Sequence, residues 1–224
     1  MTIDWGIIPE YFDFFIQGLQ LTLLIAVISI IIGFFGGILV GMGRISRNRI
    51  IYGISTVYVE AFRGTPLLVQ IFLVYFGLPQ LGIVIASPLV SGLIALSLNS
   101  AAYQAEIFRG GVQSISKGQM EAARSLGLTY NQSLFTVVIP QAIRNALPPY
   151  TNEFITMIKD SSLLLAIGVF ELTLQGKLIS ATTGQSIPVL IFVAVLYFVL
   201  TFSTSRIMKV VEKKFAIPGM MGSD

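Results

Sequence analysis

Apolar residues in this chain come in long runs separated by short polar intervals, and run length rather than alternation carries the structural signal. The first run, residues 18–42, is long enough for a hydrocarbon core that needs about twenty helical residues. Within it Gly33, Gly37 and Gly41 repeat every four residues and form a low face on which a second helix can pack closely. A second run, residues 51–78, is interrupted by Glu60, Arg63, Gly64 and Pro66. Proline lacks the amide that closes the helical ladder, so this helix is expected to kink or unwind around Thr65. Glu60 and Arg63, one turn apart, are expected to neutralise each other. The third run, residues 88–108, turns polar, with Asn99, Tyr103 and Glu106 spaced to share one helical face. An ionised glutamate in a bilayer costs about 3 kcal/mol, so that face must look into protein or water.

Beyond residue 140 the pattern weakens. Arg144, Asn145, the pair Pro148 and Pro149, Asn152 and Glu153 leave no window that reads as a simple lipid-facing helix. A fourth span is nonetheless expected over residues 142–158, buried in the bundle and broken at the proline pair. Residues 168–186 read as an outer loop with a short helix, and a last span begins at residue 187 and runs to about residue 208. Arg44, Arg47 and Arg49, then Arg109, then Arg206, Lys209, Lys213 and Lys214 mark cytoplasmic ends. The expectation is an all-α membrane protein of one domain over residues 1–224, with about five transmembrane helices, the N-terminus outside and the C-terminus inside. The first fifteen residues carry Asp4, Glu10 and Asp13 but no Lys or Arg, unlike a secretory signal, and Trp5 and Tyr11 suit a helix at the headgroup level.

Composition sharpens this. Hydrophobic residues make up 54% of the 224 and charged residues only 11%, where soluble domains average about a quarter charged. Cysteine and histidine are absent, which excludes thiol and imidazole catalysis and the usual zinc ligands. The isoelectric point of about 9.2 comes from basic residues beside apolar spans, the pattern of membrane orientation rather than of a nucleic-acid partner. Gly176 and Lys177 are followed by leucine, so there is no P-loop and no ATP site of that kind. Nothing points to an enzyme.

The polar interval at residues 117–140, KGQMEAARSLGLTYNQSLFTVVIP, is the one that the spans are arranged to present. Gln119, Glu121, Ala122, Ala123, Arg124 and Ser125 favour a short helix, and Gly127 is expected to end or bend it. The alanines leave a low surface against which a partner can lie. Glu121-Ala122-Ala123, Gly127 and the Val137-Val138-Ile139-Pro140 run fall at the spacing of the signature in permease subunits of ATP-binding cassette (ABC) importers. Four further blocks agree in order: residues 62–70 (FRGTPLLVQ), 102–107 (AYQAEI), 109–111 (RGG) and 159–163 (KDSSL). The chain resembles that family, in particular the permeases of the histidine, glutamine and arginine uptake class.

The resemblance implies a type I importer permease fold in a bacterial inner membrane, crossed several times, and no cofactor in this chain. It implies a dimer of ABC ATPase subunits, which hold ATP and Mg2+, gripping a coupling loop at residues 117–140 through Gln119, Glu121, Ala122, Ala123, Arg124 and Gly127. A second permease subunit, a homodimer being favoured, and an extracytoplasmic amino-acid-binding protein complete the expected assembly.

From the residues themselves, Glu153 and Asp160 stand nearly two helical turns apart on one face and are natural partners for a cationic solute. With Asn99, Tyr103, Ser161 and the unwound backbone near Thr65 and Leu67, they outline a candidate pocket for a basic amino acid. Two alternatives stay open: Glu153 pairs with Arg144 or Lys159, and Asp160 caps a helix beginning at Ser161. The substrate carboxylate has two candidate sets of backbone donors, at Ser161-Ser162 and at Gly64-Thr65. The rival function is an ion-gradient-driven secondary transporter of amino acids with Glu106 or Asp160 as its proton site, although no internal repeat of that kind is visible.

Overall fold

An apolar run of this length without proline closes its backbone hydrogen bonds only on itself, and residues Phe12–Arg44 form one 33-residue helix, α2, after a single turn, α1 (Ile7–Glu10). The structure is a computed structural model that describes residues 3–85 and 87–215, among which every regular element is helical. α3 (Arg49–Arg63) starts at Asn48, whose side chain accepts from the amides of Ile50 and Ile51. The helix stops at Gly64–Pro66 as its sequence demands. It resumes as α4 (Leu67–Phe72), a π turn (Leu73–Gly77) and α5 (Leu78–Gln80), bent by 105° from α3. α6 (Pro88–Gln113) follows, with Ser87 as its cap and proline at its first turn.

The coupling interval folds as α7 (Lys117–Ser125), α8 (Tyr130–Ser133) and a π turn (Leu134–Val138) that runs into α9 (Ile139–Asp160). A tight helical segment, Ser161–Ile167, then ends at Gly168, and α10 (Leu172–Thr183) and α11 (Ser186–Phe215) complete the bundle.

α6 lies at the centre, packed by α2, α9, α3 and α4. The glycine stripe makes the closest of these contacts. A Cβ placed on Gly37 would lie 2.6 Å from Gln104 Cβ, one on Gly33 2.8 Å from Ser100 Cβ and one on Gly41 2.7 Å from a ring carbon of Phe108. The stripe expected from sequence is therefore the seat of α6. Among the described residues two helices, Phe12–Arg44 and Ser186–Lys214, are long and apolar enough to cross a membrane, and up to four spans result if each bent pair is one span. α6, with 26 residues or about 39 Å, has the length but not the composition, because its polar face is turned into the bundle.

Three expectations are corrected. α9 is not broken at Pro148 and Pro149, but continues as one helix through both. Proline in a helix costs about 3 kcal/mol, and packing of α9 on α6, α11 and α2 outweighs it. Asn145 and Pro149 also line an open cavity, where water can reach the carbonyl that Pro149 leaves without an amide partner. Glu60 and Arg63 do not neutralise each other: Glu60 approaches Arg44 at 3.7 Å and Arg63 approaches Glu106 at 3.6 Å, because the neighbouring helices bring stronger partners. Residues 168–186 hold the helix expected there, but as α10 it fills most of the interval rather than a short part of a loop. Glu171 is fully buried at its start, where it accepts from the Thr173 and Leu174 amides and from the Tyr197 hydroxyl.

The glycine seat yields a prediction. Gly37→Val pushes a branched side chain into α6 and is expected to cost about 1–3 kcal/mol, lowering the unfolding midpoint in detergent. Gly53→Ala on α3 meets nothing within 4 Å and is expected to be neutral or stabilising in the same assay.

Candidate functional site

The break between α3 and α4 frees backbone groups opposite Asn99 of α6, and one side chain collects several of them. Gln70 Nε2 donates to Phe62 O at 2.7 Å, Thr65 O at 3.1 Å and Thr65 Oγ1 at 2.9 Å. Asn99 on α6 donates to Gln70 Oε1 at 2.9 Å and holds the amide in place. The Thr65 hydroxyl donates to Ala61 O, and the Gly64 amide returns to Glu60 O. Gln70 and the Thr65 hydroxyl thus tie down the Ala61, Phe62 and Thr65 carbonyls of the bend.

Beside it is a small cavity of about 130 Å³. Thr65 and Leu67 from the bend, Asn99 and Tyr103 from α6, and Glu153, Thr156 and Asp160 from α9 line it. Six of the seven residues expected to bind substrate meet here. The seventh, Ser161, is fully buried outside the cavity with its hydroxyl donating to Ile158 O, and its amide is spent within the helix. Thr156 had escaped notice, although it stands between Glu153 and Asp160 at helical spacing, three residues after one and four before the other. Glu153 is aimed by a chain of hydrogen bonds: Ile30 O accepts from Gln104 Nε2 at 3.1 Å, which also donates to Ser100 Oγ, which donates to Glu153 Oε1 at 2.9 Å. Among the described residues Glu153 makes no ion pair with Arg144 or Lys159, and Asp160 makes no side-chain cap to the helix after it. Both alternatives to the pocket are absent.

One to three turns from the cavity, at the end of α6 that leads to α7, Glu106 gathers three arginines from three helices. Arg44 from α2 lies at 2.9 Å, Arg109 from α6 at 2.8 Å, and Arg63 from α3 at 3.6 Å. Its two oxygens are occupied, which leaves it poorly suited to carry a mobile proton. Two segments whose basic residues marked them separately as cytoplasmic meet in this cluster.

The coupling segment is surface chain. Gln119, Glu121, Ala122, Arg124 and Gly127 are exposed, while Ala123 is buried on the side of α7 that packs against α8 and the Leu134–Val138 turn. Gly127 ends the helix with φ of +91°, a left-handed conformation that glycine adopts without strain, while its amide and that of Leu128 reach back to Arg124 O and Ala123 O. Thr129 and Gln132 then form a reciprocal cap that starts α8.

A family model described as "Binding-protein-dependent transport system inner membrane component" matches residues 33–217. The arginine transport system permease protein ArtQ of Bacillus subtilis (strain 168) is 39% identical over 214 residues, covering 96% of this chain and 98% of that one. The glutamine transport system permease protein GlnP of Escherichia coli (strain K12) is 37% identical over 218 residues, covering 97% of this chain and 100% of that one. A solved structure titled "Crystal structure of an amino acid ABC transporter with histidines" superposes with a TM-score of 0.90 at 40% identity, covering 96% of this chain and 100% of its own.

The tied-down bend generates a prediction. Gln70→Leu keeps the volume but strands the Phe62 and Thr65 carbonyls, and is expected to destabilise the chain by about 1–3 kcal/mol. Thermal unfolding in detergent measures it, and an unchanged midpoint would mean that the bend does not depend on this amide.

Proposed function

The chain belongs to the family of binding-protein-dependent transport system inner membrane components and is a permease subunit of an amino-acid ABC importer; from that premise we propose that its solute is a basic amino acid, carried by alternating access. The observation that carries this reading is the presence of two carboxylates, Glu153 and Asp160, in one small cavity whose lining holds no cation. A guanidinium or ammonium group supplies the missing charge in charge-assisted hydrogen bonds, with Asn99, Thr65 and Thr156 as further polar partners. A neutral side chain would leave the buried Glu153 and half-buried Asp160 carboxylates without a countercharge in the cavity.

The energy comes from a separate pair of ATPase subunits holding ATP and Mg2+, which grip α7 through Gln119, Glu121, Ala122, Arg124 and the turn at Gly127. Support for this comes from the exposure of those residues on a helix whose inner side is the buried Ala123 and the half-buried Met120. The remaining parts of the assembly are a second permease chain, most simply identical, and an extracytoplasmic binding protein that delivers the solute. In a bacterial inner membrane, α6 joins the four apolar candidates as a fifth span, with the N-terminus outside and the C-terminus inside. The whole of residues 1–224 acts as one permease domain.

Uptake of labelled arginine into proteoliposomes containing the chain and its copurified ATPase tests the assignment. Glu153→Gln is expected to lower arginine uptake about 10- to 100-fold, the equivalent of about 1.5–3 kcal/mol for a hydrogen bond to a charged group. Undiminished uptake would take Glu153 out of the site.

For the coupling segment, Gly127→Val forces a branched residue into the left-handed region. It is expected to abolish ATP-driven uptake, through uncoupled hydrolysis or lost assembly, while the helix content of the chain is retained. Normal uptake tightly coupled to hydrolysis would contradict the role given to this turn.

A further inference from the structure

Two cavities are lined in the same order by the same three elements. Along α6, Asn99 faces the small cavity and Glu106 and Gly110 face a more open one of about 480 Å³. Along α9, Glu153 faces the first and Pro149 and Asn145 the second; at the bend, Thr65 faces the first and Arg63 the second. The open cavity is therefore a vestibule that lies next to the pocket on the side of the coupling segment. Among the described residues Tyr103 alone lines both.

Nothing covalent or strongly directional fixes its ring, since the Tyr103 hydroxyl has no hydrogen bond among the described residues. A cation does the holding. The Arg63 guanidinium carbon lies 5.3 Å from the centroid of the ring, and Arg63 Nη1 is 3.6 Å from Glu106 Oε2. Glu106 is held in turn by Arg44, the last residue of α2, and by Arg109, four residues from the end of α6. The position of the ring thus depends on the spacing of the α2, α3 and α6 ends, which meet at Glu106.

We propose that Tyr103 is the inner partition of the solute path and that Arg63 holds it closed. When the helix ends move apart, Arg63 withdraws from the ring, and the departing solute's cationic group takes its place on the aromatic face as it enters the vestibule. One cation is exchanged for another, so the ring itself, rather than its hydroxyl, is the part required. The proposal rests on reading the pocket as a site for a basic amino acid.

The test uses the complete complex with its ATPase subunits in proteoliposomes, with a non-hydrolysable ATP analogue and Mg2+ holding the ATPases together. Downhill equilibration of labelled arginine is followed, with an entrapped anionic dye as a control for general leakage. Tyr103→Ala and Arg63→Ala are each expected to raise arginine equilibration tenfold or more over the unaltered complex without releasing the dye, while Tyr103→Phe stays as tight as the unaltered complex. Arg63→Ala carries the test alone if Tyr103→Ala does not assemble. Alanine variants as tight as the unaltered complex, or a Tyr103→Phe variant as leaky as Tyr103→Ala, would overturn the partition. ATP-driven arginine uptake by the unaltered complex is measured alongside. Its absence overturns the basic-amino-acid reading and the partition with it, whereas uptake with tight alanine variants overturns the partition alone.

Discussion

A helix too polar for lipid has to be walled in by helices that are not, and this requirement at α6 organises the rest of the chain. Asn99, Ser100 and Gln104 are buried near the middle of α6. Unpaired in hydrocarbon, each polar group of this kind would cost several kcal/mol. The glycine face of α2 lets α6 approach closely enough for Gln104 to reach Ile30 O. The bent α3–α4 pair supplies Gln70 to Asn99, and α9 supplies Glu153 to Ser100. Every wall of the pocket is therefore also a partner for the polar face of α6.

This arrangement explains which parts of the structure were legible in sequence. The glycine stripe, the break at Gly64–Pro66 and the end of α7 at Gly127 are local backbone chemistry, and each stands where its residues put it. The pocket was legible for a related reason: helical spacing alone places Glu153 and Asp160 on one face and Asn99 and Tyr103 on another. Whether the two faces meet is a tertiary fact, and so is the insertion of Gln70 into the bend. The Pro148–Pro149 pair does not end α9, and propensity says nothing of the neighbours that keep the helix continuous. Arg63 was given to Glu60 because the near partner in sequence is visible and the better partner, Glu106, is not. Glu171 looked like a loop residue, yet it is a buried helix cap bonded to Tyr197 of α11. Polarity in a span marks either solvent or a buried bond, and composition cannot separate the two.

In the proposed mechanism, the connectivity gives a push on α7 a direct route to the pocket. α6 runs directly into the coupling segment at one end and α9 runs directly out of it at the other. α6 carries Asn99 and Tyr103, and α9 carries Glu153, Thr156 and Asp160. A displacement of α7 is thus applied to the two helices that hold most of the lining. For such a displacement to bias the pocket toward one side, the partner must bind the segment more tightly in one arrangement than in the other.

The central claim is that the pocket faces opposite sides of the membrane in the two nucleotide states. The chain has no cysteine, so a single thiol introduced by Thr156→Cys reports on the pocket alone. Its reaction with a membrane-impermeant thiol reagent, applied from either face of proteoliposomes with and without trapped ATP, is the most direct measurement. Labelling from the cytoplasmic face without nucleotide, replaced by labelling from the opposite face with ATP trapped, is the expected result. Equal labelling in both states, or labelling always from one face, would contradict the account.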